Sequence, residues 1–254
     1  MKILQTHMKN FMIFEDATIK WSPNINVIFG ENSTGKTTIL KCLYALLKPY
    51  SGKNTELFTK DQWETAFVEK LTGVFRPDEM KIGRLVSRRQ GNGRASVKME
   101  LEKGDFISVN FGTKNTRHIE HEMKKAQQRQ VFDAVYLPPK EMISATEHFQ
   151  SLYEEYHLDF EETYYDLTKL LDKPLKRGSN TSEQNRVLSS FEDLLEGKIV
   201  QRDKKFYLKF PVRVNLKWVW SRKGIENLGQ SFTLFLPEVL IKILCFFGMS
   251  LRRI

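Results

Sequence analysis

The chain has few cysteines and no leader-like start. Its 254 residues include only two cysteines, Cys42 and Cys245, which lie far apart and lack the spacing of metal ligands. This scarcity excludes a disulfide-rich secreted scaffold. His118 and His121 are three residues apart, but without a further ligand cluster they do not predict a metal site. The first residues contain neither the apolar stretch nor the cleavage site of a secretory signal, so we expect a reduced, cytoplasmic protein.

Acidic residues are in the minority, and much of the imbalance lies near the end of the sequence. The formal net charge is +9, and the last 38 residues carry +4 of it, from six basic and two acidic side chains. The other 216 residues are therefore only mildly basic. That distribution is typical of a mixed, solvated surface, and binding to nucleic acid stays open as an alternative.

The first 50 residues show a pattern of strands followed by a helix. The run INVIF, after a Pro-Asn turn, ends in a glycine-rich turn and predicts a buried central strand. The run TTILKCLYALLK that follows predicts an amphipathic helix closed by Pro49. Its predicted apolar face consists of Ile39, Leu40, Leu43, Leu46 and Leu47.

The rest of the chain divides by composition. Residues 84–112 predict antiparallel strands with turns at QGNG and EKGD, and GKIVQRDKKFYLKF predicts a hairpin. Aromatic residues between them recur at helical spacing, which favours a helical core over a base-stacking surface. The expected domains are an N-terminal core lobe at 1–143 with a β insertion at about 84–112, a helical subdomain at 144–196, a hairpin returning to the core at 197–216, and an atypical apolar and basic tail at 217–254.

A phosphate-binding loop is the sharpest feature of the sequence. The stretch GENSTGKT matches G-x-x-x-x-G-K-[ST] and lies between a predicted strand and a predicted helix. Its backbone amides and the helix start suit a phosphate group. Lys36 is expected at the β- and γ-phosphates, Thr37 at Mg²⁺ and Thr38 near the α-phosphate. The predicted ATP-binding residues are Gly30, Glu31, Asn32, Ser33, Thr34, Gly35, Lys36, Thr37 and Thr38.

The region around this loop resembles a known group. HMKNFMIFEDATIKWSPNINVIFGENSTGKTTILKCLYALL is similar to the opening of ABC-type, SMC/RecF-like ATPases, and most of all to bacterial AAA-like ATP-binding proteins related to the OLD family. GRLVSRR, VYLPPKEM and FEETYYDL are also similar, so the resemblance covers about residues 1–216. It implies an α/β P-loop fold with an antiparallel β subdomain and a helical insertion. It also implies a homodimer that sandwiches ATP, a role in DNA repair or phage defence, and a possible nuclease or toxin partner.

Two later parts of the family pattern are missing. The resemblance implies a signature segment A-E-G-x-R-K-L-G and a strand ending in F-W-D-E-P-E-A-N, whose acids manage Mg²⁺ and water, and neither is present. The nearest substitute, FTLFLPE, places Pro237 before Glu238 and has no aspartate. The segment VYLPPKEM lies roughly where the resemblance places a γ-phosphate-sensing loop, but it offers no glutamine, and Lys140 and Glu141 are only weak candidates there. We therefore expect ATP binding with impaired hydrolysis and no identified catalytic residue.

A slip of the reading frame near Lys217 would explain the missing segments. Phe246 to Ile254 can be encoded so that entry two nucleotides later reads F-W-D-E-P-E-A-N. With the same offset, Trp218 to Gly229 can read G-L-V-A-E-G-N-R-K-L-G. On this hypothesis the chain is truncated or frame-shifted after about residue 216, and the C-terminal part of the core is missing.

Other interpretations of the tail and of the function stay open. SFTLFLPEVLIKILCFFGMSL could be a buried helix, or a membrane anchor, although Glu238 and Lys242 would each cost roughly 2.5 kcal/mol or more in a bilayer. Membrane attachment is therefore the least favoured. The alternatives to an ATPase head are a small-molecule or nucleoside kinase, with the arginines of GRLVSRR as a lid, and a membrane-anchored nucleotide-binding remnant.

Overall fold

The structure is a computed structural model that forms two compact units, residues 1–136 and 137–254. It describes residues 1–51, 58–88, 93–124, 132–139, 146–156, 158–173, 180–195, 197–202, 205–209 and 215–217. The strands are β1 (Ile3–Phe11), β2 (Phe14–Lys20), β3 (Arg94–Leu101), β4 (Phe106–Gly112), β5 (Glu120–Lys124), β6 (Lys198–Arg202), β7 (Lys205–Lys209) and β8 (Asn215–Lys217). The helices are α1 (Lys36–Tyr50), α2 (Lys60–Phe75), α3 (Thr146–Tyr156), α4 (Glu162–Leu171) and α5 (Ser182–Leu195).

A five-stranded antiparallel sheet organises the first unit, in the order β2-β1-β3-β4-β5. Side chains alternate between its two faces, as the two-residue period of a strand requires. One face is apolar and buried, and it includes Met8, Val97 and Val109. The other face is polar and carries ion pairs such as Lys98–Glu100, at 2.8 Å. The predicted strands on both sides of the EKGD turn are thus confirmed, whereas most of the QGNG turn lies outside the described residues.

Helices α1 and α2 pack together in the core that covers the apolar sheet face. Tyr50 of α1 and Phe67 of α2 are fully buried there. Helix α2 begins with a capping box in which Thr59 and Gln62 exchange side-chain and backbone hydrogen bonds. The apolar faces of the two helices and of the sheet therefore form a single core.

The prediction for α1 needs two corrections. The helix continues through Pro49 and ends at Tyr50, because a proline in the last turn still leaves earlier hydrogen bonds intact. Ile39, Leu43 and Leu46 are buried as predicted, but Leu40 is 45% exposed. The described part of the chain leaves that side of the helix open.

The prediction of a buried central strand at INVIF is wrong for the described structure. Residues 25–29 are not assigned to a strand, and no described strand pairs with them. Ile25, Val27 and Phe29 are 66%, 80% and 90% exposed, whereas Ile28 packs against the core. An apolar run is buried on both faces only when neighbouring strands flank it, and the described residues provide none here.

The apolar run at residues 132–138 contacts α1 without joining a sheet. Lys48 donates a hydrogen bond to Asp133 Oδ1 at 2.8 Å and to the Ala134 carbonyl at 3.1 Å. The Tyr136 ring lies 5.6 Å from the ring of Tyr44. Both contacts fasten this run to the helix that follows the phosphate loop.

The second unit contains α3, α4, α5 and a three-stranded antiparallel sheet in the order β6-β7-β8. Strands β6 and β7 form the predicted hairpin, with Arg202 opposite Lys205. Among the described residues, no helix combines the length and the hydropathy needed to cross a membrane. The predictions at Lys140, Glu141 and residues 218–254 lie outside the described residues.

His121 is a half-buried histidine on β5 that packs against Phe67, with 5.9 Å between the ring centroids. Its Nδ1 atom is buried and finds no hydrogen-bond partner among the residues that the structure describes, and the nearby His118 contacts Glu64. Desolvation lowers the pKa of His121 below 6.5; the charge of Lys60 adds to this effect, whereas that of Glu64 opposes it.

The desolvation of His121 should make the free energy of unfolding depend on pH. Below about pH 6.5 the unfolded chain binds a proton at His121 more readily than the folded chain does. The free energy of unfolding should therefore decrease as the pH is lowered. We expect His121→Phe to reduce the loss of unfolding free energy between about pH 7.5 and 5.5 in chemical denaturation. His7→Gln serves as the control, since His7 is a half-exposed histidine paired with Asp16. An unchanged slope in His121→Phe would contradict the prediction.

Candidate functional site

The phosphate loop lies directly before α1, and its backbone has the conformation of a tight cradle. Gly35 forms the helix cap with φ 90° and ψ 10°, in the left-handed region that only glycine adopts readily. Ser33 also has a positive φ, of 65°. The Ile39 amide donates the first helical hydrogen bond to the Gly35 carbonyl, at 2.9 Å. The loop therefore turns sharply and leads straight into the helix.

Gly35 is also confined by its neighbours. A Cβ atom at this position would lie 2.5 Å from Ile13 Cδ1 and 2.6 Å from Phe14 Cζ. Ile13 belongs to the β1–β2 turn, whose Met12 has a φ of 53°, and Phe14 is the first residue of β2. The β1–β2 hairpin thus packs against the phosphate loop at Gly35. The sequence pattern includes Gly35 but does not indicate this support, because Ile13 and Phe14 lie 22 and 21 positions earlier in the chain.

The Lys36 side chain bridges the phosphate loop by hydrogen bonds to two of its carbonyls. Its Nζ donates hydrogen bonds to the carbonyl of Gly30, at 2.7 Å, and to that of Glu31. The Thr34 hydroxyl also donates to the Glu31 carbonyl, at 2.9 Å. The ammonium group is therefore held across the loop, where a phosphate can replace the two carbonyl acceptors.

The first turn of α1 completes the site. Thr37 is exposed, Thr38 is half-buried, and no acidic residue lies in this turn. The positive end of the helix dipole, together with the unsatisfied amides of the first turn, favours an anion there. All nine residues predicted from the sequence, 30–38, are thus contiguous in the loop and the helix start.

The arrangement fits a nucleotide phosphate better than a free metal ion. The cradle needs a glycine where a side chain would clash, and an ammonium group already lies at its edge. The described residues contain no cluster of three or more His, Cys, Asp or Glu side chains able to hold a metal. Mg²⁺ characteristically takes few protein ligands and shares the phosphate oxygens, so Thr37 fits as a single hydroxyl ligand.

The exposed run before the loop carries a prediction about solution behaviour. Val27 and Phe29 each forgo the roughly 1.5–3 kcal/mol that full burial contributes, and exposed apolar side chains close together favour self-association. We expect Val27→Thr with Phe29→Thr to reduce aggregation and dye binding to apolar surface, with a stability change below about 1 kcal/mol. Ile28→Thr is the matched control: Ile28 packs against the core, so its replacement should destabilise the fold. Unchanged aggregation of the double variant, measured by light scattering, would contradict this prediction.

Comparison with known families gives one match that spans most of the chain. A model of the AAA_23 family, described as an AAA domain, matches residues 5–209. The match includes the phosphate loop and the sheet that supports it.

Curated relatives match over shorter stretches. The DNA replication and repair protein RecF of Chlamydia caviae is 46% identical over 57 residues, covering 22% of this chain and 16% of the relative. RecF of Halalkalibacterium halodurans is 32% identical over 111 residues, covering 43% of this chain and 26% of the relative. The matches thus span about a quarter or less of these two relatives.

A solved structure also shows a distant likeness. It comes from work on ATP-driven dimerization and DNA-stimulated activation of SMC ATPases, is 12% identical, and covers 75% of this chain and 98% of its own. Its TM-score is 0.32, which is too low to carry an argument about function or assembly.

Proposed function

The chain belongs to the AAA_23 family of AAA domains and is an ATP-binding protein of the SMC/RecF-like P-loop type; on that premise we propose that residues 30–38 bind ATP with Mg²⁺ and that this chain hydrolyses it slowly. The observation that carries the binding site is the cradle at Gly35 beside the ammonium group of Lys36.

Each residue of the loop has a distinct part in this proposal. The loop amides and the start of α1 orient the β-phosphate, because they present donors and the positive end of the helix dipole. The Lys36 ammonium group leaves the carbonyls of Gly30 and Glu31 for the β- and γ-phosphates. The Thr37 hydroxyl holds Mg²⁺, which when bound neutralises phosphate charge, and Thr38 lies near the α-phosphate.

The proposal of slow hydrolysis rests on two motifs that the sequence lacks. The 254 residues contain neither the signature segment nor the motif with paired acids that ends the expected strand. Positioning and activating water is a large part of phosphoryl-transfer catalysis, and binding alone does not supply it. The binding site can therefore be intact while turnover is weak.

Calorimetry and phosphate release separate the two halves of the proposal. We expect heat on mixing the protein with ATP and Mg²⁺, and turnover close to that of the buffer blank. Thr37→Val should weaken Mg²⁺-dependent binding by roughly 10-fold, which corresponds to one lost ligand. Absence of binding heat would contradict ATP binding at residues 30–38. Rapid ATP hydrolysis that disappears in Lys36→Ala would contradict only the proposal of slow hydrolysis.

The wider role is also a proposal. The RecF relatives favour a role in DNA replication or repair. A homodimer that sandwiches ATP, a role in phage defence, a nuclease or toxin partner and a cytoplasmic location are further proposals. Light scattering with and without ATP tests the homodimer. Because the chain belongs to a family of AAA domains, the small-molecule or nucleoside kinase is the less favoured proposal. The frame-slip hypothesis remains a prediction that the coding DNA after Lys217 decides.

A further inference from the structure

Residues 85–87, which we call the strap, pair with the turn that joins β1 to β2. The Met12 amide donates a hydrogen bond to the Leu85 carbonyl at 2.8 Å. The Ser87 amide donates a second one to the Asn10 carbonyl, also at 2.8 Å. The two residues between these donors and acceptors lie opposite each other in an isolated antiparallel bridge, and both are buried. The strap therefore adds a short segment of sheet pairing at the turn.

The Ser87 side chain adds a bond to the same turn. Its hydroxyl donates to the Met12 carbonyl at 2.7 Å and lies 3.4 Å from the Phe14 carbonyl. Ser87 is half-buried, and shielding from water strengthens a hydrogen bond. The hydroxyl therefore holds the carbonyl that lies directly before Ile13.

The turn adopts a backbone conformation that depends on such contacts. Asn10 and Met12 have φ angles of 50° and 53°, in the left-handed region. Asparagine enters this region more readily than most residues, but methionine has no such advantage. Strained backbone of this kind persists only where its surroundings hold it in place, and it is frequent beside binding sites. Loss of a bond from the strap should therefore let the turn relax.

The turn held in this way touches the phosphate loop at the start of α1. Ile13 Cδ1 lies 2.5 Å from the position that a Cβ atom of Gly35 would take, and Phe14 Cζ lies 2.6 Å from it. Gly35 is the N-terminal cap of α1 and directly precedes Lys36. A displacement of the turn therefore changes the packing at the residue where the loop enters the helix.

We propose that Ser87 is a positioning residue for the nucleotide, because its hydroxyl holds the strained β1–β2 turn against Gly35. The inference rests on the proposed binding of ATP at residues 30–38, and it assigns Ser87 no contact with the nucleotide. The effect passes from the hydroxyl to the Met12 carbonyl and then from Ile13 to Gly35. Since coupling between two sites is reciprocal, bound ATP should in turn stabilise the bonds between strap and turn.

Two replacements of equal volume isolate the hydroxyl. Ser87→Thr keeps it, Ser87→Val removes it, and both add the same bulk to the strap. We expect Ser87→Val to raise the dissociation constant of ATP with Mg²⁺ by about 5-fold or more, since the Met12 carbonyl loses its hydroxyl donor. Ser87→Thr should stay within about 2-fold of the parent. Isothermal titration calorimetry on the full chain measures both values.

A control variant separates positioning from a loss of stability. The Thr72 hydroxyl donates to the Val68 carbonyl at 2.8 Å, so Thr72→Val removes a comparable bond in α2 rather than at the turn. It should lower the melting temperature and leave the dissociation constant unchanged, because the titration is made on protein that circular dichroism shows to be folded. A merely structural Ser87 would give Ser87→Val the same behaviour as Thr72→Val.

Hydrogen exchange tests the reciprocal effect without any replacement. ATP with Mg²⁺ should slow the exchange of the Met12 and Ser87 amides, which bridge the turn and the strap. A double variant then tests the route. Ser87→Val with Ile13→Ala should weaken ATP binding by less than the product of the two single effects, because both changes act through the turn.

The possible failures are distinguishable. Absence of ATP binding by the parent would contradict the proposed function and this inference together. If the parent binds ATP, an equal dissociation constant in Ser87→Val would overturn only the inference, and so would an equal loss in Ser87→Thr, which would assign the effect to bulk. Exchange of the Met12 and Ser87 amides that ATP leaves unchanged would overturn it as well, even where a replacement prevents folding.

Discussion

Replacing Lys36 by alanine is expected to weaken binding of ATP with Mg²⁺ by roughly 100-fold or more. The ammonium group can donate two charge-assisted hydrogen bonds to phosphate oxygens, and each contributes about 1.5–3 kcal/mol. Loss of about 3 kcal/mol corresponds to roughly a 100-fold change in the dissociation constant. Isothermal titration calorimetry measures the change directly.

The structure also predicts what Lys36→Ala should leave intact. Within the described residues, the Lys36 ammonium group donates hydrogen bonds to the loop carbonyls of Gly30 and Glu31, and Lys36 lies outside the buried core. The melting temperature of the nucleotide-free protein should therefore change little. Lys20→Ala, which removes an exposed lysine of β2, is the charge-matched control and should bind ATP normally. A Lys36→Ala protein that still binds ATP tightly would show that the nucleotide uses another site.

The phosphate loop could be predicted from the sequence because its determinants are local. Glycine at 35, an ammonium side chain at 36 and a helix beginning at the same residue are all specified within a few positions. The hairpins are local too: four residues separate β3 from β4, and two separate β6 from β7. In each of these cases, short-range turn chemistry and side-chain alternation fix the result.

The failed predictions depend on partners distant in the chain. The apolar run at 25–29 carries the pattern of a central strand, yet that pattern does not say which segments flank it. Leu40 was assigned to the buried face of α1 for the same reason, although helical spacing alone cannot tell which side of the helix is covered. Both errors lie on the same stretch of chain, immediately before and after the phosphate loop.

Gly35 shows how a local pattern and a distant contact act on one residue. The sequence motif requires a glycine for the turn, and the φ of 90° at Gly35 agrees with that requirement. The structure adds the crowding by Ile13 and Phe14, which no sequence pattern indicates. A substitution here therefore meets two separate penalties, and they can be measured separately.

Gly35→Val is expected to destabilise the first unit by roughly 2–4 kcal/mol and to abolish detectable ATP binding. A left-handed backbone costs a β-branched residue about 1–3 kcal/mol, and the clash with the hairpin adds to it. In thermal melts this corresponds to a decrease of very roughly 5–15 °C for a chain of this size.

A set of matched variants divides that loss into its two parts. Gly104 also has a positive φ, of 77°, but a Cβ there meets nothing within 4 Å, so Gly104→Val reports backbone strain alone. Adding Ile13→Ala to Gly35→Val removes part of the crowding, and the double variant should be less destabilised than the sum of the two single changes. Strict additivity of Ile13→Ala and Gly35→Val would mean that the hairpin does not support the loop. Equal losses in Gly35→Val and Gly104→Val would assign the whole requirement for glycine to the backbone turn.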